Sequence, residues 1–175
     1  HRYVHNQDGL IQPFSTALER NLARKFIISF SRRFQSFSEF FCRVRDEEIK
    51  VQLAYDSQFR FQAPLKASNI MVNDYQDLAI DKLLTFFGRT AAKDTVDVFF
   101  ILERENLSYQ QLAELAKQKN PGFDPYWMAQ ACEKVADFPD PLSNWQVQMV
   151  IPEEATEIKS LFKSLRKKLM ISTYG

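Results

Sequence analysis

Of 175 residues, 45% are hydrophobic and 26% charged, enough apolar side chain to bury one sizeable core. The 23 basic and 22 acidic residues leave a formal net charge of +1, which removes any global electrostatic case for nucleic acid or a membrane surface, so such a contact would have to be local. No apolar run approaches the roughly eighteen residues of a membrane span, and the charged N-terminus has no apolar signal segment.

Two cysteines, Cys42 and Cys132, are too far apart in sequence to suggest a disulfide framework or a metal knuckle. They predict buried free thiols in a reducing cytoplasm. The sixteen phenylalanines are spread along the chain and read mainly as core.

In chain order, the polar run Asn6-Gln7-Asp8 before Gly9 is either a surface turn or a degenerate acidic pair. His1 and His5 have helical spacing but no neighbouring ligands. After a short extended piece at Leu10 and Ile11, Thr16-Ala17-Leu18-Glu19 has the form of a capping box and predicts a helix start. Leu18, Leu22 and Phe26 carry its apolar face; Arg20, Arg24, Arg32 and Arg33 are polar-face or end residues. Between Ile49 and Tyr55 apolar residues alternate with polar ones, the period of a half-buried strand. The preceding "RDEE" suits a hairpin turn, which makes Ser36 to Val44 the other arm, although Phe34, Phe37, Phe41 and Val44 also fit helical spacing.

Past Ala63-Pro64 the chain reads as helices. Asn73 or Asp74 caps "YQDLAIDKLLTFF", with Gly88 as the stop. A second helix runs from about Ala91 to Arg104. Ser108 to Gln111 is another capping box, its helix ending at Asn120-Pro121-Gly122, and Asp124-Pro125 opens the next. Phe138 to Leu142 is a loop, "WQVQMVI" a short strand or extended connector, and Glu153 to Met170 a final helix. That helix places acids first and Lys163, Arg166, Lys167 and Lys168 last, which complements its dipole; the basic end could also touch RNA phosphates. Tyr126-Trp127 and Trp145 read as core packing, with base stacking as the alternative.

The expected organisation is one compact unit: an α/β half over residues 1–66 and an α-helical half over 67–175 packed on it. Within the latter, Lys93 and Asp97 lie four apart and Asp94 and Asp97 three apart, so these groups share a helix face. Lys82 and Arg89 flank the Gly88 turn. A salt-bridged bend explains this cluster, and so does a small-ligand site.

The same stretch, "YQDLAIDKLLTFFGRTAAKDTVDVFFIL", resembles the C-terminal half of the AbiEii/AbiGii-type toxin nucleotidyltransferases. Their "DL…K" helix followed by "R…[RK]D..D" is matched by Asp77-Leu78, Lys82, Arg89, Lys93-Asp94 and Asp97. Working backwards, "IKVQL" looks like the family's strand "hKhDh", with Gln52 at the acidic position. "HRYVHNQD" looks like "HR.S.DLD", with Asn6 at the first acid and Asp8 at the second. The resemblance covers about residues 1–135.

It implies an α+β fold with a reduced, nucleotidyltransferase-like mixed sheet and packed helices. It also implies a bacterial toxin–antitoxin setting. In family terms, Asp8 would hold Mg²⁺ and act catalytically with Lys82, while Lys50, Arg89, Lys93, Asp94 and Asp97 would bind substrate. The implied reaction moves a nucleoside monophosphate from a nucleoside triphosphate to RNA or protein.

Two departures point to a truncated or degenerate member. The "GG[ST]" turn expected upstream of the acidic pair is missing from this sequence, and neutral amides stand at Asn6 and Gln52. Mg²⁺ is a hard dication that needs carboxylate charge, so weak or no metal-dependent transfer is expected. The competing expectation is a non-catalytic module that binds a partner protein such as an antitoxin. A sheet lacking its first strand would also leave an edge for a homodimer.

Overall fold

A computed structural model describes residues 11–54, 59–104, 108–149, 151 and 153–174. The runs at His1, His5 and Asn6 to Asp8 lie outside the described residues. The chain divides into two compact units, His1–Arg60 with Pro64–Val72, and Phe61–Ala63 with Asn73–Gly175. Each is α+β or α in character, and together they make a mixed α+β chain.

In the first unit, α1 spans Ile11–Ala23. It is followed by three antiparallel strands in the order β1 (Ile27–Phe34), β2 (Phe37–Val44) and β3 (Glu47–Ala54). The β2–β3 hairpin forms as its alternation predicts, turning at Arg45-Asp46 with Arg45 at φ 57°. One face of β2 is buried through Ser38, Phe40 and Cys42, on the side where α1 reaches the sheet.

The helix starts earlier than the capping box predicted: Thr16 and Glu19 sit inside α1. Instead of closing a cap, both side chains meet Arg33 of β1, the Thr16 hydroxyl accepting from its guanidinium at 3.3 Å and Glu19 pairing with it. Ile11 is likewise helical rather than extended, and Arg32 and Arg33 are strand residues. The β-branched pair Ile27-Ile28 favours a strand where the helical spacing predicts continuation. A second hairpin absent from the sequence reading, β4 (Leu65–Ala67) with β5 (Ile70–Val72), completes this unit.

The second unit consists of α2 (Tyr75–Arg89), α3 (Ala92–Arg104), α4 (Tyr109–Lys119), α5 (Pro125–Lys134) and α6 (Ala155–Tyr174). Three caps match their sequence signals. Asp74 accepts from the Gln76 amide, Ser108 and Gln111 form a reciprocal capping box, and Asp124 accepts from the Tyr126 and Trp127 amides ahead of Pro125 at the helix start. Gly88 is not the stop. The helix continues through it to Arg89, and Thr90 takes the left-handed position at φ 48°, its amide and hydroxyl both bonded to the Phe86 carbonyl.

The core joins Ile80, Leu83 and Phe86 of α2 to Val98, Met128, Ile158 and Phe162, with the Phe86 and Phe162 rings 4.9 Å apart. "WQVQMVI" forms no strand over its described residues: Trp145 ends a short 3₁₀ turn and Gln146–Met149 run as a connector. The Trp145 indole is buried, donating to the Pro139 carbonyl at 2.7 Å, whereas Trp127 is exposed. The phenylalanines divide in the same way. Phe40, Phe86, Phe99, Phe123 and Phe162 are buried, while Phe30 and Phe34 on β1 are 49% and 58% exposed.

Candidate functional site

The candidate residues fall into separate groups, one in the first unit and the rest in the second. On the sheet, strand alternation puts Phe37, Glu39 and Phe41 of β2 on the face opposite Ser38 and Phe40. Glu39 is only 3% exposed. Its cross-strand partners are Arg32 on β1 and Gln52 on β3. The Arg32 guanidinium lies 2.9 Å from one carboxylate oxygen; the Gln52 carboxamide donates to the other, and the Lys50 ammonium is 3.8 Å from it.

A buried carboxylate requires such compensation. Lys50 also sits over the Phe41 ring, 5.4 Å from its centroid. The structure therefore brings Lys50 and Gln52 together around an acid that sequence reasoning missed. The available signal was small: one acid alternating with phenylalanines at positions 37, 39 and 41.

In the second unit, Lys82 and Asp97 form a 2.6 Å ion pair between α2 and α3, with both side chains partly open to solvent. Asp97 is thus engaged by Lys82 across the helical hairpin, rather than only by a neighbour on its own helix. Arg89 and Asp94 form a fork, Nε to Oδ2 at 2.5 Å and Nη2 to Oδ1 at 3.0 Å. Asp94 is buried in the first turn of α3, and Arg89 is largely exposed at the end of α2. The hydrogen bond that Arg89 donates to this carboxylate holds its pKa above the ordinary value, against the opposing effect of burial. This geometry is the salt-bridged bend: it joins two helix ends across Thr90. Lys93 is exposed.

A third group was not singled out from sequence as a site. Asp77, fully buried in the first turn of α2, accepts the Phe61 amide on both oxygens at 3.1 and 3.2 Å and the Gln62 amide at 3.1 Å. Lys119, at the end of α4 and 5% exposed, lies 2.5 Å from Asp81 and 3.6 Å from Asp77. Its ammonium is close enough to compensate charge, but its donors do not align into a hydrogen bond. Asp77 and Asp81 are four apart on one helix, so the spacing that places both toward α4 was legible as a pattern, though not as a burial site.

Both thiols are buried and free. Burial raises the Cys42 pKa and pushes that of Cys132 up to about 12, the nearby Arg166 opposing the latter in part.

Asp8, the expected metal-binding and catalytic carboxylate, lies outside the described residues. Among the described residues no group of three His, Cys, Asp or Glu side chains is arranged to hold a metal. Glu39 is committed to Arg32, Lys50 and Gln52, and Gln52 brings no charge, so this part of the sheet does not fit a magnesium centre.

No protein-family model matches the chain, and no significant match is found among curated proteins. Two solved structures are similar to it. One, from H. pylori and provisionally named a nucleotidyltransferase, is 14% identical; the match covers 83% of this chain and 67% of that one at a TM-score of 0.45. The other, JHP933 from Helicobacter pylori, is 16% identical, with 99% of this chain and 80% of that one covered, again at 0.45.

Proposed function

We propose that this chain is a degenerate relative of the AbiEii-type nucleotidyltransferase toxins, able to contact a nucleoside triphosphate but with weak or no metal-dependent transfer of its nucleoside monophosphate. The observation that carries the reading is the use of charge around Glu39. Gln52 stands where the resemblance expects a carboxylate, and its amide donates to Glu39 while Arg32 and Lys50 neutralise the same acid. An amide suits that position because a second acid would face Glu39 directly across the strands. The cost of this arrangement is the charge that a dication needs.

Nucleotide contact rests on Lys82, whose partly exposed ammonium can exchange Asp97 for a phosphate oxygen. Asp94 and Arg89 serve here as a structural clamp, with Lys93 an exposed cation beside it. Asp8 is the one acid of the implied metal set still present in the sequence.

The test is binding of labelled triphosphates and magnesium-dependent transfer, with Asp8→Ala and Lys82→Gln as controls. We expect measurable triphosphate binding that Lys82→Gln weakens, with little transfer. Strong transfer abolished by Asp8→Ala would overturn the degeneracy; no triphosphate binding would overturn the nucleotide reading.

A further inference from the structure

The sheet face around Glu39 has an organisation that nucleotide transfer does not explain. Strand pairing lays its side chains out in rows. Phe34 stands opposite Phe37, their ring centroids 6.3 Å apart. The next row is Arg32, Glu39 and Gln52, and the one after it is Phe30, Phe41 and Lys50. Phe30 and Phe41 meet edge to face at 5.6 Å. Arg32 lies 5.7 Å from the Phe37 centroid, and Lys50 caps Phe41. Two aromatic pairs thus flank a polar row. They are separated by four residues along β2, about 13 Å at the rise of an extended strand.

We propose that this face binds single-stranded RNA by stacking unpaired bases on the phenylalanine pairs. Aromatic rings on an open antiparallel sheet, interleaved with Arg and Lys, suit unpaired bases because every base has a π-face, and one ring of each pair, Phe37 and Phe41, has a cation beside it for the backbone. Duplex bases are stacked on one another and cannot use such a platform.

The local charge agrees. Glu39 is shared by Arg32 and Lys50, which leaves one cation in excess in that group. An apolar protein surface laid over the same face would bury that excess cation without a counter-charge. Gln52, an exposed residue, donates through its nitrogen to Glu39, which leaves its carboxamide oxygen as an acceptor for a ribose 2′-hydroxyl. Nothing in this inference requires triphosphate binding, a metal or transfer, so it goes beyond the reading above.

The experiment is fluorescence anisotropy of a labelled, unstructured RNA oligonucleotide titrated with the full chain, alongside the same sequence as single-stranded DNA and as duplex RNA. The expected result is preference for single-stranded RNA and a shallow salt dependence, with a logarithmic slope of about 0.7 per cation engaged. Phe30→Thr with Phe34→Thr, which keeps strand propensity at two exposed positions, should weaken binding about tenfold or more. Phe30→Tyr with Phe34→Tyr should bind like the wild type. Lys50→Gln should flatten the salt slope by about 0.7.

Absence of RNA binding overturns the proposal, as does equal binding of duplex or single-stranded DNA. So does unchanged affinity in a folded Phe30→Thr, Phe34→Thr protein. Should that variant fail to fold, an unchanged salt slope in Lys50→Gln decides against the platform. A concentration-dependent dimer by light scattering, lost in the threonine variant, would assign the face to a second copy instead.

Discussion

Replacing Asp77 by alanine should be the most damaging single polar substitution in the helical unit. Its carboxylate is fully buried and takes the amides of Phe61 and Gln62, so it fastens the 61–63 segment to the first turn of α2. Hydrogen bonds to a charged acceptor contribute about 1.5–3 kcal/mol each, although the exposed Gln62 can recover part of its loss from water. Lys119 keeps Asp81 at 2.5 Å but loses the second carboxylate at 3.6 Å, and removing one partner of a buried ion pair typically costs about 3–5 kcal/mol. These contributions overlap, and with Asp81 still in place the total should be about 3–5 kcal/mol, against a net domain stability of about 5–15 kcal/mol. Asp77→Asn keeps an acceptor oxygen and should lose about half as much. Urea unfolding followed by circular dichroism reads both as shifts in midpoint at constant slope. If Asp77→Ala costs under about 1 kcal/mol, the assigned role of the carboxylate is wrong.

The Arg89–Asp94 clamp predicts an asymmetry: Asp94→Ala costs about 1–2 kcal/mol through lost hydrogen bonds and helix-end charge, whereas Arg89→Ala costs more because it leaves a buried carboxylate unpaired. Thermal melts of the two variants check this, and a silent Arg89→Ala would contradict the clamp. Cys132 predicts alkaline instability. Its folded pKa of about 12 exceeds the ordinary thiol value of 9.0, so above pH 9 the unfolded chain sheds a proton that the folded one retains. Stability is then fully present below pH 9 and falls as pH rises toward 12, by up to about 4 kcal/mol from this thiol. Cys132→Ala should lower stability at neutral pH and flatten that decline; an equally steep decline in the variant counts against the thiol as its source.

The elements readable from sequence are those specified within a few residues. The caps at Asp74, Ser108 and Asp124 each need only a side chain and an amide two or three positions later, and all three formed. β1 was hidden because its residues acquire their roles from distant partners: Arg33 from α1, and Arg32 from β2. The spacing of Leu18, Leu22 and Phe26 carried the helical pattern into it. The helix runs through Gly88 and stops at Thr90, whose left-handed backbone returns its amide and hydroxyl to the Phe86 carbonyl. In the candidate site, spacing put Lys93, Asp94 and Asp97 on one helix face, but the pairs that form, Lys82 with Asp97 and Arg89 with Asp94, join two helices and were not legible from it. Glu39 escaped altogether, since its surroundings exist only once three strands are in register.

That register also gives a direct test of why position 52 holds an amide. Gln52→Glu would put a second carboxylate opposite Glu39, next to a carboxylate already shared by Arg32 and Lys50. Directly opposed like charges on paired strands destabilise by about 0.2–1 kcal/mol, and the lost Gln52 hydrogen bond adds about 1 kcal/mol. Lowering the pH through the carboxylate range should restore part of this, because protonating one acid regenerates a donor between them. Magnesium should restore stability only if the two acids can turn away from their cations and share the ion, with a gain that grows with ion concentration. Denaturation of Gln52→Glu at neutral and acidic pH, with and without magnesium, separates these cases. Rescue by acid alone means that Arg32 and Lys50 keep Glu39 from a metal even when the missing charge is returned. Rescue by millimolar magnesium at neutral pH would mean that one amide is the barrier to metal binding at this position, and would refute the assignment of Glu39 to its neighbours.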